Sequence, residues 1–129
     1  MQKSFLVTYA GKYGSTREIA ESLGELIRGH GAAADVLPCS AVTTLEDYGA
    51  VLIGSAVRFG AWMKEAVDFV KANHQHLAAL PAAIFSVHIL NRGGQEEHRA
   101  ARAAYTAPIH SLITARAEAF FPGVIDKDN

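Results

Sequence analysis

Apolar residues recur along this chain in two rhythms. In the first they are contiguous: Phe5 to Val7, Ala50-Val51-Leu52-Ile53, and Ala82 to Phe85. Short unbroken runs of this kind are expected of strands covered on both faces. In the second they are spaced for one face of a helix. Ile19, Ala20, Leu23, Leu26 and Ile27 fall at i, i+1, i+4, i+7 and i+8, and Met63, Ala66, Val67 and Val70 form a second stripe. Lys64, Glu65, Asp68 and Lys71 fall on the polar side of that second helix. Punctuation sets the boundaries. Strand one runs from Ser4 to Tyr9, and a helix from Ser15 to Arg28 is ended by Gly29 and Gly31. Ala33 to Leu37 is a short strand closed by Pro38, and Ser40 to Tyr48 is a short helix or turn. The run from Ala50 to Ile53 is the third strand, ended by Gly54. A helix spans Ala61 to His74, and strand four spans Ala82 to Val87. Gln95 to Leu112 is a helix with a kink or break at Pro108, and Ala117 to Phe121 is the fifth strand, ended by Pro122-Gly123.

Strands alternating with helices predict an α/β fold: an open, doubly wound, five-stranded parallel sheet with right-handed crossovers, strand order 2-1-3-4-5. Residues 1–129 read as a single domain without repeats or linkers. A sheet of this kind normally carries a last helix after its fifth strand, and here the sequence stops at Asn129. Either it is truncated, or that face is covered in another way, for instance by a partner chain in an oligomer.

The order of strands also says where a ligand would sit, because these sheets bind at the carboxyl ends of the strands where the order reverses. Three loops meet there: Ala10 to Thr16, Gly54 to Gly60, and Val87 to Gly94. The first passes through Gly11, Lys12, Tyr13 and Gly14 and enters the helix at Ser15 and Thr16, hydroxyl residues at the expected N-cap. A helix N-terminus offers unpaired N–H groups and a positive dipole end, and so suits phosphate. The spacing matches neither the P-loop, in which lysine follows the second glycine, nor the dinucleotide fingerprint. The residues alone leave two readings open, a tight strand-to-helix turn or a phosphate site. The second loop, Gly54-Ser55-Ala56-Val57-Arg58-Phe59-Gly60, and the third, with His88, Asn91 and Arg92, could grip a flat ligand with polar edges. Backbone amides would read its edge, Phe59 or Trp62 could lie on its face, and the two arginines could meet negative charge.

Composition narrows the function. Half of the 129 residues are hydrophobic and the formal net charge is −1, with twelve basic and thirteen acidic residues. That is enough for one real core, and it argues against a nucleic-acid binder with a basic stripe. No apolar run is long enough to span a bilayer, and the start reads directly into a strand, with no signal peptide. The one cysteine, Cys39, excludes an intrachain disulfide and fits a structural thiol in the reducing cytoplasm. His74 and His76, two apart on a helix, point to different faces and make a poor metal pair. The acidic residues a phosphoacceptor receiver domain needs at its strand ends are absent, since strand one ends Thr8-Tyr9-Ala10 and strand three Ile53-Gly54.

The first loop resembles the phosphate signature of the flavodoxin-like FMN-binding family. Val7, Tyr9, Gly14, Thr16, Ala20 and Leu23 match it. Two positions depart: Thr8 stands where an apolar residue is usual, and Gly11 replaces the loop's first hydroxyl residue, for which Lys12 or a backbone N–H could compensate. The segments Ile53 to Gly60, Lys64 to Val70 and Pro81 to Val87 resemble the branch that includes the menaquinone-linked protoporphyrinogen IX dehydrogenases. The resemblance covers nearly the whole chain to Gly123. It implies FMN, with its phosphate at Lys12 to Thr16 and its ring between the second and third loops.

On that basis the expected function is FMN-dependent electron transfer with a redox partner protein or a small-molecule donor. The resemblance also implies an alternative, oxidation of protoporphyrinogen IX with a quinone acceptor, in which Arg58 and Arg92 meet substrate carboxylates. A third reading is a flavin-free structural or regulatory module. It is motivated by Gly11 and by the absent last helix.

Overall fold

The computed structural model describes residues 4–11, 14–58, 61–87, 109, 113 and 117–121, with backbone alone at 15, 58, 61, 120 and 121. Strands β1 (Ser4–Ala10), β2 (Ala34–Pro38), β3 (Tyr48–Arg58), β5 (Ala82–Val87) and β6 (Ala117–Phe121) form a parallel sheet in the order β2-β1-β3-β5-β6. Strand β4 (Ala61–Trp62) returns antiparallel along the end of β3, pairing Val57 with Trp62 and Arg58 with Ala61. With β4 set aside as that return arm, the order is the expected 2-1-3-4-5. Helices α1 (Gly14–Gly29) and α2 (Lys64–Ala78) cover opposite faces.

Alternation along the strands builds two cores. Leu6, Val51, Ile53, Val57, Ala82 and Ile84 face α2, which contributes Ala66, Phe69, Val70 and Leu77. Ile109 and Ile113 join this layer, and the Ile113 N–H donates to the Ile109 carbonyl at 3.0 Å, one helical turn. The rest of the expected 95–112 helix lies outside the described residues. On the other face Val7, Phe85 and Val87 meet Ala20 of α1, with Ile19, Leu23 and Ile27 packed alongside. Each fully buried Leu, Ile, Val or Phe contributes about 1.5–3 kcal/mol, so these layers hold the sheet. Among the described residues two i, i+4 surface ion pairs, Arg17–Glu21 and Lys64–Asp68, are exposed and screened by solvent, and they add little.

Several boundaries differ from the sequence reading, each for a local reason. Gly54 does not end β3. It lies inside the strand, in register with Tyr9 and Phe85, because the Phe85 ring occupies the space above it. Ser55 to Arg58 are therefore strand, not loop. Helix α2 starts at Lys64 rather than Ala61, since Ala61 and Trp62 pair back with β3. Its buried stripe gains Phe69 and Leu77, while Met63 and Val67 are only half-buried. Helix α1 starts at Gly14, which places Ser15 and Thr16 in its first turn and not at the N-cap. Its far end behaves as read: Gly31 takes φ 96°, a left-handed conformation that suits glycine. The expected short helix or turn at 40–48 is a three-residue 3-10 turn, Cys39–Ala41, that begins one residue earlier. Pro38 closes β2 from within as the last residue of an edge strand, where no ladder N–H is needed.

Two buried neutral groups make the fold sensitive to alkali. Burial, with the Tyr48 hydroxyl donating to Asp35 Oδ2 at 2.7 Å, pushes the phenol up to about 12. Burial also pushes the Cys39 thiol up to about 11, although the Thr8 hydroxyl that donates to its Sγ at 3.4 Å pulls it down. Both groups titrate later in the fold than their ordinary values, 9.0 for the thiol and 10.0 for the phenol. Their contribution is complete below those values and is lost as pH climbs through the folded ones. The melting temperature should therefore fall between about pH 9 and 12. Tyr48→Phe should flatten the upper part of that fall, and an identical pH profile in that variant would contradict this account.

Candidate functional site

The carboxyl ends of β1, β3 and β5 lie side by side, with the start of α1 on one flank and the start of α2 on the other. The α1 flank is built by Gly11, Gly14 and Thr16. Thr16 is 2 % exposed. Its side chain lies against Gly11, where an added Cβ would stand 2.7 Å from Thr16 Cβ and 2.8 Å from Oγ1. Among the described residues its hydroxyl has no hydrogen-bond partner. Gly14, at the first position of the helix, is exposed, and a Cβ there would meet nothing within 4 Å. The first turn contains no acidic residue to oppose an anion. The result is a helix N-terminus with a positive dipole end and a buried hydroxyl that has no partner among the described residues. That donor set fits a phosphate monoester.

The opposite flank is held by two serines. Ser55 and Ser86 are neighbours in register on β3 and β5, 0 % and 1 % exposed. Ser55 Oγ accepts from the Met63 N–H at 2.9 Å and donates to the Ala56 carbonyl at 2.7 Å. Ser86 Oγ accepts from the Trp62 indole N–H at 2.9 Å. A buried hydroxyl without a partner would cost about 1–3 kcal/mol. Here both hydroxyls are satisfied, and both fasten the junction between β4 and α2. Trp62 is 5 % exposed and packs within the core, so it is an anchor and not an open platform for a ring.

Of the residues picked from sequence, Gly11, Gly14 and Thr16 come together at the start of α1. Ser55 and Val57 turn into the core beneath the site, and Ala56 is half-buried. For Ser15 and Arg58 only the backbone is described, and Lys12, Tyr13, Phe59, Gly60, His88, Asn91 and Arg92 lie outside the described residues. Two features escaped the sequence reading. One is the role of Ser86, whose only signal was a lone polar residue in the apolar run Ile84 to Val87. The other is a cavity of about 330 Å³ beside the loop, lined by Tyr9, Gly11, Pro38, Cys39, Met63 and Glu65 among others. It exists because Pro38 pairs with Tyr9 and brings the end of β2 level with the end of β1. Among the described residues no helix is long and apolar enough to cross a membrane, and no three His, Cys, Asp or Glu side chains gather as for a metal ion.

Comparison with known proteins agrees with this geometry. The flavodoxin domain profile matches residues 6–129. Protoporphyrinogen IX dehydrogenase [quinone] of Escherichia coli (strain K12) is 32% identical over 89 residues, 67% of this chain and 49% of that protein. The protein of the same name from Leishmania major is 40% identical over 48 residues, 37% of this chain and 21% of its own length. The matched region thus spans about half or less of these curated relatives. Among solved structures, two-electron reduced Megasphaera elsdenii flavodoxin superposes with a TM-score of 0.70 at 16% identity, covering 95% of this chain and 89% of that one. At that identity the superposition speaks for the fold.

Proposed function

The chain belongs to the flavodoxin domain family, and from that premise we propose that it binds FMN and transfers electrons through it. The observation that carries this reading is the buried Thr16 hydroxyl beside Gly11, without a partner among the described residues, at a helix N-terminus whose first turn holds no acidic residue. A buried hydroxyl left without a partner is costly unless a ligand supplies one, and a phosphate has acceptor oxygens to spare. In this reading the first-turn N–H groups of α1 and Thr16 hold the phosphate. The β3–β4 arm is fixed by Ser55, Ser86 and Trp62, and Phe59, Gly60 and residues 88–92 are the candidates from sequence for contacting the ring. FMN, when bound, supplies the redox chemistry. The chain's part is to bind it, orient it and exclude water. Arg58 and Arg92 would set the charge near the ring, where a cation favours the reduced, more negative flavin. The donor is a redox protein or a small molecule. Near-neutral net charge makes long-range electrostatic steering of a protein partner weak. A reducing, cytoplasmic setting fits the single buried thiol.

One titration tests this. Trp62 is the one tryptophan of the chain and lies beneath the ring side, so its emission reports on the site directly. Adding FMN should quench both Trp62 and flavin fluorescence with one-to-one stoichiometry and raise the melting temperature. An unchanged spectrum and melting temperature would leave the flavin-free module as the better reading.

The similarity to the Escherichia coli protoporphyrinogen IX dehydrogenase favours a second activity on the same site, oxidation of a porphyrinogen with a quinone as acceptor. Arg58 and Arg92 would pair with substrate carboxylates. Anaerobic incubation of the FMN-loaded protein with protoporphyrinogen IX and a menaquinone analogue tests it by porphyrin fluorescence. Turnover that depends on both FMN and quinone supports it.

A further inference from the structure

We infer that the cavity at the joined ends of β1 and β2 is a second binding site, which takes a small organic cation with an apolar body. The inference stands apart from FMN binding. The cavity lies on the other face of the sheet from α1: Ala10, Cys39 and Met63 belong to the layer under α2, whereas Tyr9 packs into the layer under α1. It also lies on the far side of β1 from the point where the strand order reverses, because its outer wall is Pro38, Cys39 and Ser40 at the end of β2. The crossover explains the space. Parallel strands are usually joined through a helix. Between β2 and β3 the only helical element is the three-residue turn Cys39–Ala41. No helix of that crossover covers the ends of β2 and β1, and α2 begins only at Lys64.

The volume and the lining name the ligand class. About 330 Å³ is at the lower end of the range for small-molecule sites, about 300–1,000 Å³, and equals the share of roughly ten waters. Ala10, Pro38 and Met63 supply apolar wall, and Cys39 a neutral floor. Burial pushes that thiol up to about 11, and the nearby Glu65 carboxylate acts in the same direction. Among the described residues Glu65 is the one charged side chain of the lining. It stands in the first turn of α2, where it answers the positive end of the helix dipole. Among the described residues it has no ion-pair or hydrogen-bond partner, and the adjacent Lys64 is paired with Asp68 at 2.7 Å. A carboxylate beside an apolar hollow accepts charge-assisted hydrogen bonds from an ammonium group, while the walls hold a body of matching size. An anion of the same shape is repelled.

The experiment titrates the flavin-free protein with phenethylamine, phenethyl alcohol and phenylacetate, probes of similar size that differ in charge, and follows backbone amide NMR shifts. Phenethylamine should shift the amides of Tyr9, Gly11, Cys39 and Ser40. It should bind about tenfold tighter than the alcohol, the worth of a hydrogen bond to a charged group, and phenylacetate should not bind. Glu65→Gln keeps the shape and removes the charge, so it should erase the preference for the amine. Ser40→Phe, at an exposed position on the rim, should fill the mouth and abolish binding of both. If the alcohol binds as tightly as the amine, or Glu65→Gln keeps the preference, selection for a cation is overturned. If no probe moves those four amides, or Ser40→Phe binds the amine unchanged, the cavity is not the site. Each of these results is separate from the FMN titration, which tests the proposed function alone.

Discussion

Replacing Gly54 by alanine should cost the fold about 1–3 kcal/mol, the usual range for forcing atoms into a packed core. The added methyl would overlap Cζ and Cε2 of Phe85. That ring cannot easily withdraw: Phe85 is buried in the layer with Val7, Ala20 and Val87. Gly54 and Phe85 are also register partners on adjacent strands, so backing off would mean parting β3 from β5. The measurement is a urea midpoint for the ligand-free protein. Gly54→Ala should shift it clearly downward, and Phe85→Leu in the same chain should recover part of the loss. An unchanged midpoint would show that the ring does not fill this space.

Trp62→Ala should cost more, about 3–5 kcal/mol, the range for deleting a large buried aromatic. It leaves a cavity between β3 and α2 and strips Ser86 of its donor. Trp62→Phe separates the two effects. It fills most of the volume and loses chiefly the bond to Ser86, a difference of about 1 kcal/mol. Circular dichroism melts serve here, since both variants lack the fluorophore. If Trp62→Ala melted with the unaltered protein, the return arm would be held by something other than Trp62.

Both predictions concern residues whose roles the sequence did not announce. A glycine that stops a strand and a glycine that makes room inside one are identical in sequence. Gly54 is told apart only by Phe85, which arrives from a strand about thirty residues later. The same holds for Ala61 and Trp62. Their apolar character continues the helical rhythm of α2, but pairing with Val57 and Arg58 wins. By contrast, β5, β6, the end of α1 at Gly31 and the strand order were legible, because each depends on local pattern or on general rules of crossover. At the site, Gly11, Gly14 and Thr16 were legible as a loop entering a helix. What could not be read was that Gly11 and Thr16 share one volume, which is a distance and not a pattern.

The unequal lengths of the strands carry a consequence for how this architecture can diversify. Among the described residues the last pairings of β3 with its parallel neighbours are Ala10 with Ser55 and Val87 with Ala56, and the stretch of β3 beyond them, to Arg58, pairs with β4. Residues inserted between Arg58 and Ala61 would lengthen that stretch without disturbing register anywhere in the five-stranded sheet. The Ser55 and Ser86 fastenings would keep its root in place. Length added there would extend the surface beside the carboxyl ends of the strands while leaving the pairing of β1, β3 and β5 as it is.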